Sequence, residues 1–169
     1  MDDIDRQLID ILQRDATLSI AQMAEQVGLS ATPCWKRIQK LEAQGVITRR
    51  VAVVDPDRVG VGLSVLVSIE AGEHTPEWLR RFSEGIAAMP AVMEVYRMAG
   101  DVDYILRVAV ADMAEYDSFY KRLIAVAPMK NVTSRFAMER MKHTTAYPLH
   151  PRAFRDRRAP DNGNNDEEE

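Results

Sequence analysis

Cysteine is nearly absent from this chain. Cys34 is the single one, so no disulfide can form within it, which fits a reducing compartment. Histidine is sparse as well: His74, His143 and His150 are scattered, with no cysteine or acidic partner at ligand spacing, so no metal site is expected. A glycine-rich phosphate loop and a nucleophile motif are both missing, which argues against a cofactor and against an enzyme. No apolar run approaches the ~20 residues needed to cross a bilayer. The acidic start Met1-Asp2-Asp3-Ile4-Asp5 lacks the basic-then-apolar pattern of a secretory leader, so the expected location is cytoplasmic. Net positive charge is lacking too, the formal value being −4. That excludes a chain that is basic on average, but nucleic-acid binding needs only a local basic face.

What is present begins with three short helices. Ile4, Leu8, Ile9, Ile11 and Leu12 form one apolar stripe over 3–14, capped by Asp2 or Asp3. Ser19 caps a second helix, Ile20 to Val27, and Gly28 permits the left-handed turn that ends it. Ser30 caps a third, which carries Pro33 in its first turn and runs to about Gln44 before Gly45. A β-branched run, Val46 to Val54, reads as a strand. Together these predict a winged helix-turn-helix over 1–54. A hinge follows at 55–62, around Asp55-Pro56-Asp57.

The second half alternates strand and helix patterns. Leu63, Val65, Val67 and Ile69 share one strand face, Thr75-Pro76-Glu77 opens a helix, and Val92–Met98 and Tyr104–Val110 read as strands. Asp112 caps a helix to about Ala127, and Val132–Met141 closes the series. The order βαββαβ is ferredoxin-like, so the whole reads as an α+β protein with a second domain over 63–150. Past Pro151 the pattern dissolves into a basic patch (Arg152, Arg155, Arg157, Arg158) and an acidic end, so 151–169 is expected to be a disordered tail.

Charge is segregated within the first domain. Over 36–50, Lys36, Arg37, Lys40, Arg49 and Arg50 stand against Glu42 alone. The third helix has buried positions in Ile38, Leu41 and either Cys34 or Trp35. Its candidates for duplex DNA are Ser30, Ala31, Thr32, Pro33, Lys36, Arg37 and Lys40, joined by Arg49 and Arg50 beyond it. Arg37 has the geometry to fork onto guanine; Lys36, Lys40, Arg49 and Arg50 suit phosphates, which position a domain without reading sequence. The bland alternative is a merely solvated helix face. Cys34 reads as a small buried hydrophobe rather than a reactive thiol.

Val27-Gly28-Leu29-Ser30, Thr32-Pro33-Cys34-Trp35-Lys36-Arg37, Leu41-Glu42-Ala43-Gln44-Gly45-Val46-Ile47, Gly100-Asp101-Val102-Asp103-Tyr104 and Lys142-His143-Thr144-Thr145-Ala146-Tyr147-Pro148 occur in the order in which the Lrp/AsnC (leucine-responsive and asparagine regulator) family carries such motifs. The chain resembles that family over roughly 2–148. Within it, Phe119-Tyr120-Lys121-Arg122-Leu123, Val132-Thr133-Ser134 and Phe136-Ala137-Met138-Glu139 are most similar to a DecR-like, cysteine-responsive branch. The resemblance implies a transcription regulator of amino-acid metabolism genes. It further implies a homodimer, assembling to tetramers or octamers, whose sheets face each other. A small amino acid, cysteine by this resemblance, would lodge near the Gly-Asp-x-Asp-Tyr loop.

A free amino acid needs an anion for its ammonium and donors for its carboxylate. Asp101 and Asp103 offer the first, the Gly100 N–H and the Ser134 hydroxyl the second, and Met98 and Tyr104 would wall the pocket. The bland alternative is a strand-connecting turn whose acids serve only the backbone. Two other functions stay open at this stage: an architectural DNA-binding protein without effector, and an amino-acid-binding or enzymatic ferredoxin-like protein.

Overall fold

The computed structural model describes residues 1–149; the expected tail 151–169 lies outside them. The chain divides into two compact units, Met1–Val51 with the described residues from Lys142, and Ala52–Met141. The segment 142–149 therefore groups with the first unit, whereas the sequence pattern runs the second domain on to 150.

In the first unit α1 (Asp3–Arg14), α2 (Ile20–Gln26) and α3 (Ala31–Ala43) follow the capping residues. Asp2 and Asp5 form a reciprocal capping box at α1, and Ser19 and Gln22 form another at α2. Both α2 and α3 end in the same device. Gly28 (φ 67°) and Gly45 (φ 68°) take left-handed backbone, which returns the Leu29 N–H to the Ala24 carbonyl and the Val46 N–H to the Leu41 carbonyl. Leu8, Met23, Ala24, Cys34 and Ile38 make the core, with Ile4, Ile11, Leu12, Leu18 and Ile47 packed around it. The segment from Lys142 docks on α1. The Gln13 amide donates to the Tyr147 carbonyl at 3.3 Å and accepts from the Tyr147 N–H at 2.8 Å.

The strand expected over Val46–Val54 does not form: no strand lies between α3 and residue 63. A β-branched run becomes a strand only where another backbone pairs with it. Among the described residues none does, and Val51, Val53 and Val54 stand about two-thirds exposed.

The second unit is β1 (Leu63–Ala71), α4 (Pro76–Ala87), β2 (Val92–Arg97), β3 (Tyr104–Val110), α5 (Met113–Val126) and β4 (Met129–Phe136). The sheet order is β2-β3-β1-β4 and every pairing is antiparallel. This is the expected ferredoxin-like arrangement, although β4 starts earlier and stops earlier than the pattern suggests. One face buries Val65, Val67, Ile69, Leu106, Val108 and Val110 against Trp78, Phe82 and Ile86 of α4 and Phe119 and Leu123 of α5. The two helices approach closely at Gly85, where an added Cβ would lie 2.4 Å from Val126 Cγ1. On the opposite face Leu66 and Tyr96 are exposed, and neither α4 nor α5 packs there.

Candidate DNA interface and effector loop

The third helix is seated by Cys34, Ile38 and Leu41, all at most 1% exposed. The helical period then decides what points outward. Thr32, Pro33, Trp35, Lys36, Gln39 and Lys40 are exposed, as are Ser30 and Ala31 at the helix start. Ser30 occupies the N-cap position, but its hydroxyl makes no capping hydrogen bond. Of the two residues the sequence leaves open as core, Cys34 is buried and Trp35 is not. Burial pushes the Cys34 thiol pKa up.

The five bases divide into two groups. Lys36, Lys40 and Arg49 are exposed and enter no salt bridge with a described residue. Arg50 lies 2.7 Å from Glu42. Arg37 is engaged more fully: its Nη1 donates to Asp2 Oδ2 and to Asp5 Oδ1, each at 2.7 Å. Asp5 is buried, so this contact ties α3 to the N-terminus of α1. The carboxylates hold the Arg37 pKa up. The Asp2 carboxyl is held below its usual value, first by the Asp5 backbone N–H and then by Arg37. The expected guanine-reading residue thus also has a structural role. Both contacts use Nη1, which leaves the Nε and Nη2 donors outside them.

In the second unit, Met98, Gly100 and Asp101 lie in the exposed β2–β3 loop. Gly100 has φ 147° and nothing within 4 Å of an added Cβ, so its backbone is open to close approach. Asp103 is half-buried and tied to the backbone around it. Its Oδ2 accepts the Ala71 N–H at 2.7 Å, its own N–H reaches the Ile69 carbonyl at 2.9 Å, and its carbonyl takes the Met98 N–H at 2.8 Å.

Two candidates depart from expectation. Tyr104 pairs with Ile69 on the core face, is 7% exposed, and packs against Trp78 and Phe82 at centroid distances of 5.8 and 4.6 Å. It is a core residue, because the alternation that makes β3 amphipathic starts at Tyr104. Ser134 pairs with Val67, so it too faces the helices, where its hydroxyl is hydrogen-bonded to the Tyr116 hydroxyl. Strand β1 separates Ser134 from Tyr104. Sequence reasoning misses two polar neighbours of Asp103 and the end of β1. His74 Nε2 lies 3.9 Å from Asp103 Oδ1, and Lys130 lies 3.0 Å from Glu70. The turn after β1 carries His74 there and the pairing of β1 with β4 brings Lys130, and no local motif announces either.

A cationic helix on a three-helix unit, and a turn-bearing ferredoxin-like sheet, are the two parts of a ligand-responsive DNA-binding regulator. Comparison with known proteins agrees for each part. Residues 1–42 match the AsnC-type helix-turn-helix domain, and residues 64–147 match the Lrp/AsnC ligand binding domain. The chain belongs to the Lrp/AsnC family. It is 48% identical over 150 residues to the DNA-binding transcriptional activator DecR of Escherichia coli K12, covering 88% of this chain and 99% of DecR. An AsnC family transcriptional regulator from Agrobacterium tumefaciens matches with TM-score 0.85 and 56% identity over 88% of this chain and 97% of that one. A transcriptional regulator from Neisseria meningitidis, crystallised in complex with L-Met, matches with TM-score 0.84 and 26% identity over 88% and 97%. Among the described residues, no helix is long and apolar enough to cross a membrane.

Proposed function

We propose that this chain regulates transcription by placing α3 in the major groove of duplex DNA and that a small amino acid modulates that binding or the assembly of the protein. One observation carries the reading. Lys36 and Lys40 stand one turn apart on the exposed face of α3, next to Thr32 and Pro33, and with Arg49 they are not neutralised by any described acid. Exposed, unpaired cations at such spacing suit phosphates along a groove. Ser30, Ala31, Thr32 and Pro33 stand at the helix N-terminus, the part that reaches base edges in helix-turn-helix proteins.

The family resemblance and the L-Met complex of the Neisseria regulator support an amino acid as effector, and the likeness to DecR makes cysteine the first to test. Met98, Gly100 and Asp101 are its candidate contacts, with Asp103 shaping the loop beneath them. The uncovered sheet face supports a homodimer, with further assembly to a tetramer or octamer. A second reading, DNA binding without effector, is favoured by the commitment of the Asp103 carboxylate to Ala71.

Salt-dependent DNA binding tests the first half. Lys36→Ala and Lys40→Ala should each weaken binding to all duplexes alike and flatten the slope of log K against log salt by about 1. Unchanged slopes in both variants would remove α3 from the interface. A thermal-shift screen across the proteinogenic amino acids tests the second half, since a ligand that binds only the folded state raises Tm.

A further inference from the structure

We infer that Trp35 reads the DNA sequence, by packing its indole on the C5-methyl group of a thymine in the major groove. The inference rests on the reading that α3 is the DNA-binding helix. Trp35 lies in the first half of α3, on the same side as Thr32 and Gln39, and immediately precedes Lys36. It is 49% exposed. The chain's other tryptophan, Trp78, is 3% exposed and stacked on Phe82 at 4.9 Å. A half-exposed tryptophan ring beside exposed cations on one helix is placed to touch whatever those cations bind.

The neighbours say which partner. Lys36, Lys40 and Arg49 are exposed cations without an acidic partner among the described residues, so the surface around the ring is built for a polyanion. In the major groove of a polyanionic duplex, the apolar feature on offer is the thymine methyl, which no other base presents there. Arg37, on the same helix, has its Nη1 held by Asp2 and Asp5. Thr32 and Gln39 can supply hydrogen bonds, and Trp35 offers the largest apolar surface on this face of the helix.

The test uses the full chain. A preferred duplex is first selected from a randomised library with the wild-type protein. Each thymine is then replaced singly by deoxyuridine, which removes the methyl and nothing else. At one or more positions the replacement should weaken wild-type binding about fourfold, the scale of one buried methyl group. The same replacement should have no effect on Trp35→Ala. That variant should also lose roughly tenfold in preference for the selected duplex over a scrambled one. Trp35→Phe, a smaller change to the helix, should give an intermediate penalty, and circular dichroism confirms that each variant folds. Equal deoxyuridine penalties in wild type and both variants at every thymine would overturn the inference. So would a Trp35→Ala variant that loses affinity equally for both duplexes and dissociates into smaller species, because the ring would then lie between copies of the chain. Failure of the wild type to enrich any duplex would overturn the DNA-binding reading itself, a result distinct from either.

Discussion

Arg37 on the third helix and Asp5 on the first are joined across the three-helix unit at 2.7 Å, with the Asp5 carboxylate buried beneath the guanidinium. The same Asp5 accepts the Asp2 N–H, so the α1 cap and the seating of α3 share one carboxylate. A cation that looks from the sequence like a base reader is thereby also a fastener between helices.

Replacing Arg37 with alanine should therefore lower the Tm of the first unit, because Asp5 loses its countercharge. The ratio of selected to scrambled DNA binding should change less than about threefold, against the larger loss expected of a bidentate base contact. Differential scanning calorimetry and fluorescence anisotropy measure the two quantities. Intact stability with relaxed discrimination would restore Arg37 to the DNA.

Acid should weaken the same joint. The folded-state pKa of Asp2 is depressed, so its contribution to stability is fully present above the unfolded-state value and is lost as pH falls through the ordinary aspartate range and below. Plotted against pH, the Tm of Asp2→Asn should fall less steeply at the acid end than that of the wild type. Parallel curves would show that the carboxylate does not couple to folding.

At the effector loop, Asp103 and Asp101 should separate. Asp103→Ala leaves the Ala71 N–H without its acceptor and should cost the second unit about 1–2 kcal/mol, along with the response to effector. Asp101→Ala should leave Tm unchanged and reduce only the effector-induced shift. Amino-acid titrations followed by thermal shift distinguish them, and an unaltered response in both variants would exclude this loop.

Gly85→Ala substitutes a better helix former on α4, yet should destabilise by about 1–3 kcal/mol, because the new methyl would collide with the Val126 side chain. Val126→Ala in the same chain should recover most of that loss. A double-mutant cycle by urea unfolding reads the coupling, and simple additivity of the two changes would refute the close approach.

Cys34 is fully buried with its thiol pKa pushed up. Aromatic disulfide reagents should leave it unmodified in the folded protein and titrate it fully in denaturant. Fast modification under native conditions would show that the first core opens.

The helix boundaries and both glycine stops were legible because their signals are local: Asp2, Ser19, Gly28 and Gly45 act on backbone within four residues. So was the amphipathic alternation of β1 and β3. The fate of individual charges was not, since Lys36 and Arg37 are equivalent in any sequence window, and only the packing of α1 on α3 decides which one is neutralised. Tyr104 belongs to two patterns at once, the core stripe of β3 and the Gly-Asp-x-Asp-Tyr motif. Burial against Trp78 and Phe82 settles its side chain on the first. The Val46–Val54 run is not a strand for a related reason: propensity states what a segment can do, and among the described residues no backbone pairs with it.

The return of the chain to α1 has a practical side. A fragment stopped at residue 54 would keep all three helices but bare the Gln13 amide that Tyr147 otherwise satisfies from both sides. Engineers grafting this module onto another sensor can keep both hydrogen bonds by carrying 142–149 along, spliced through a short linker.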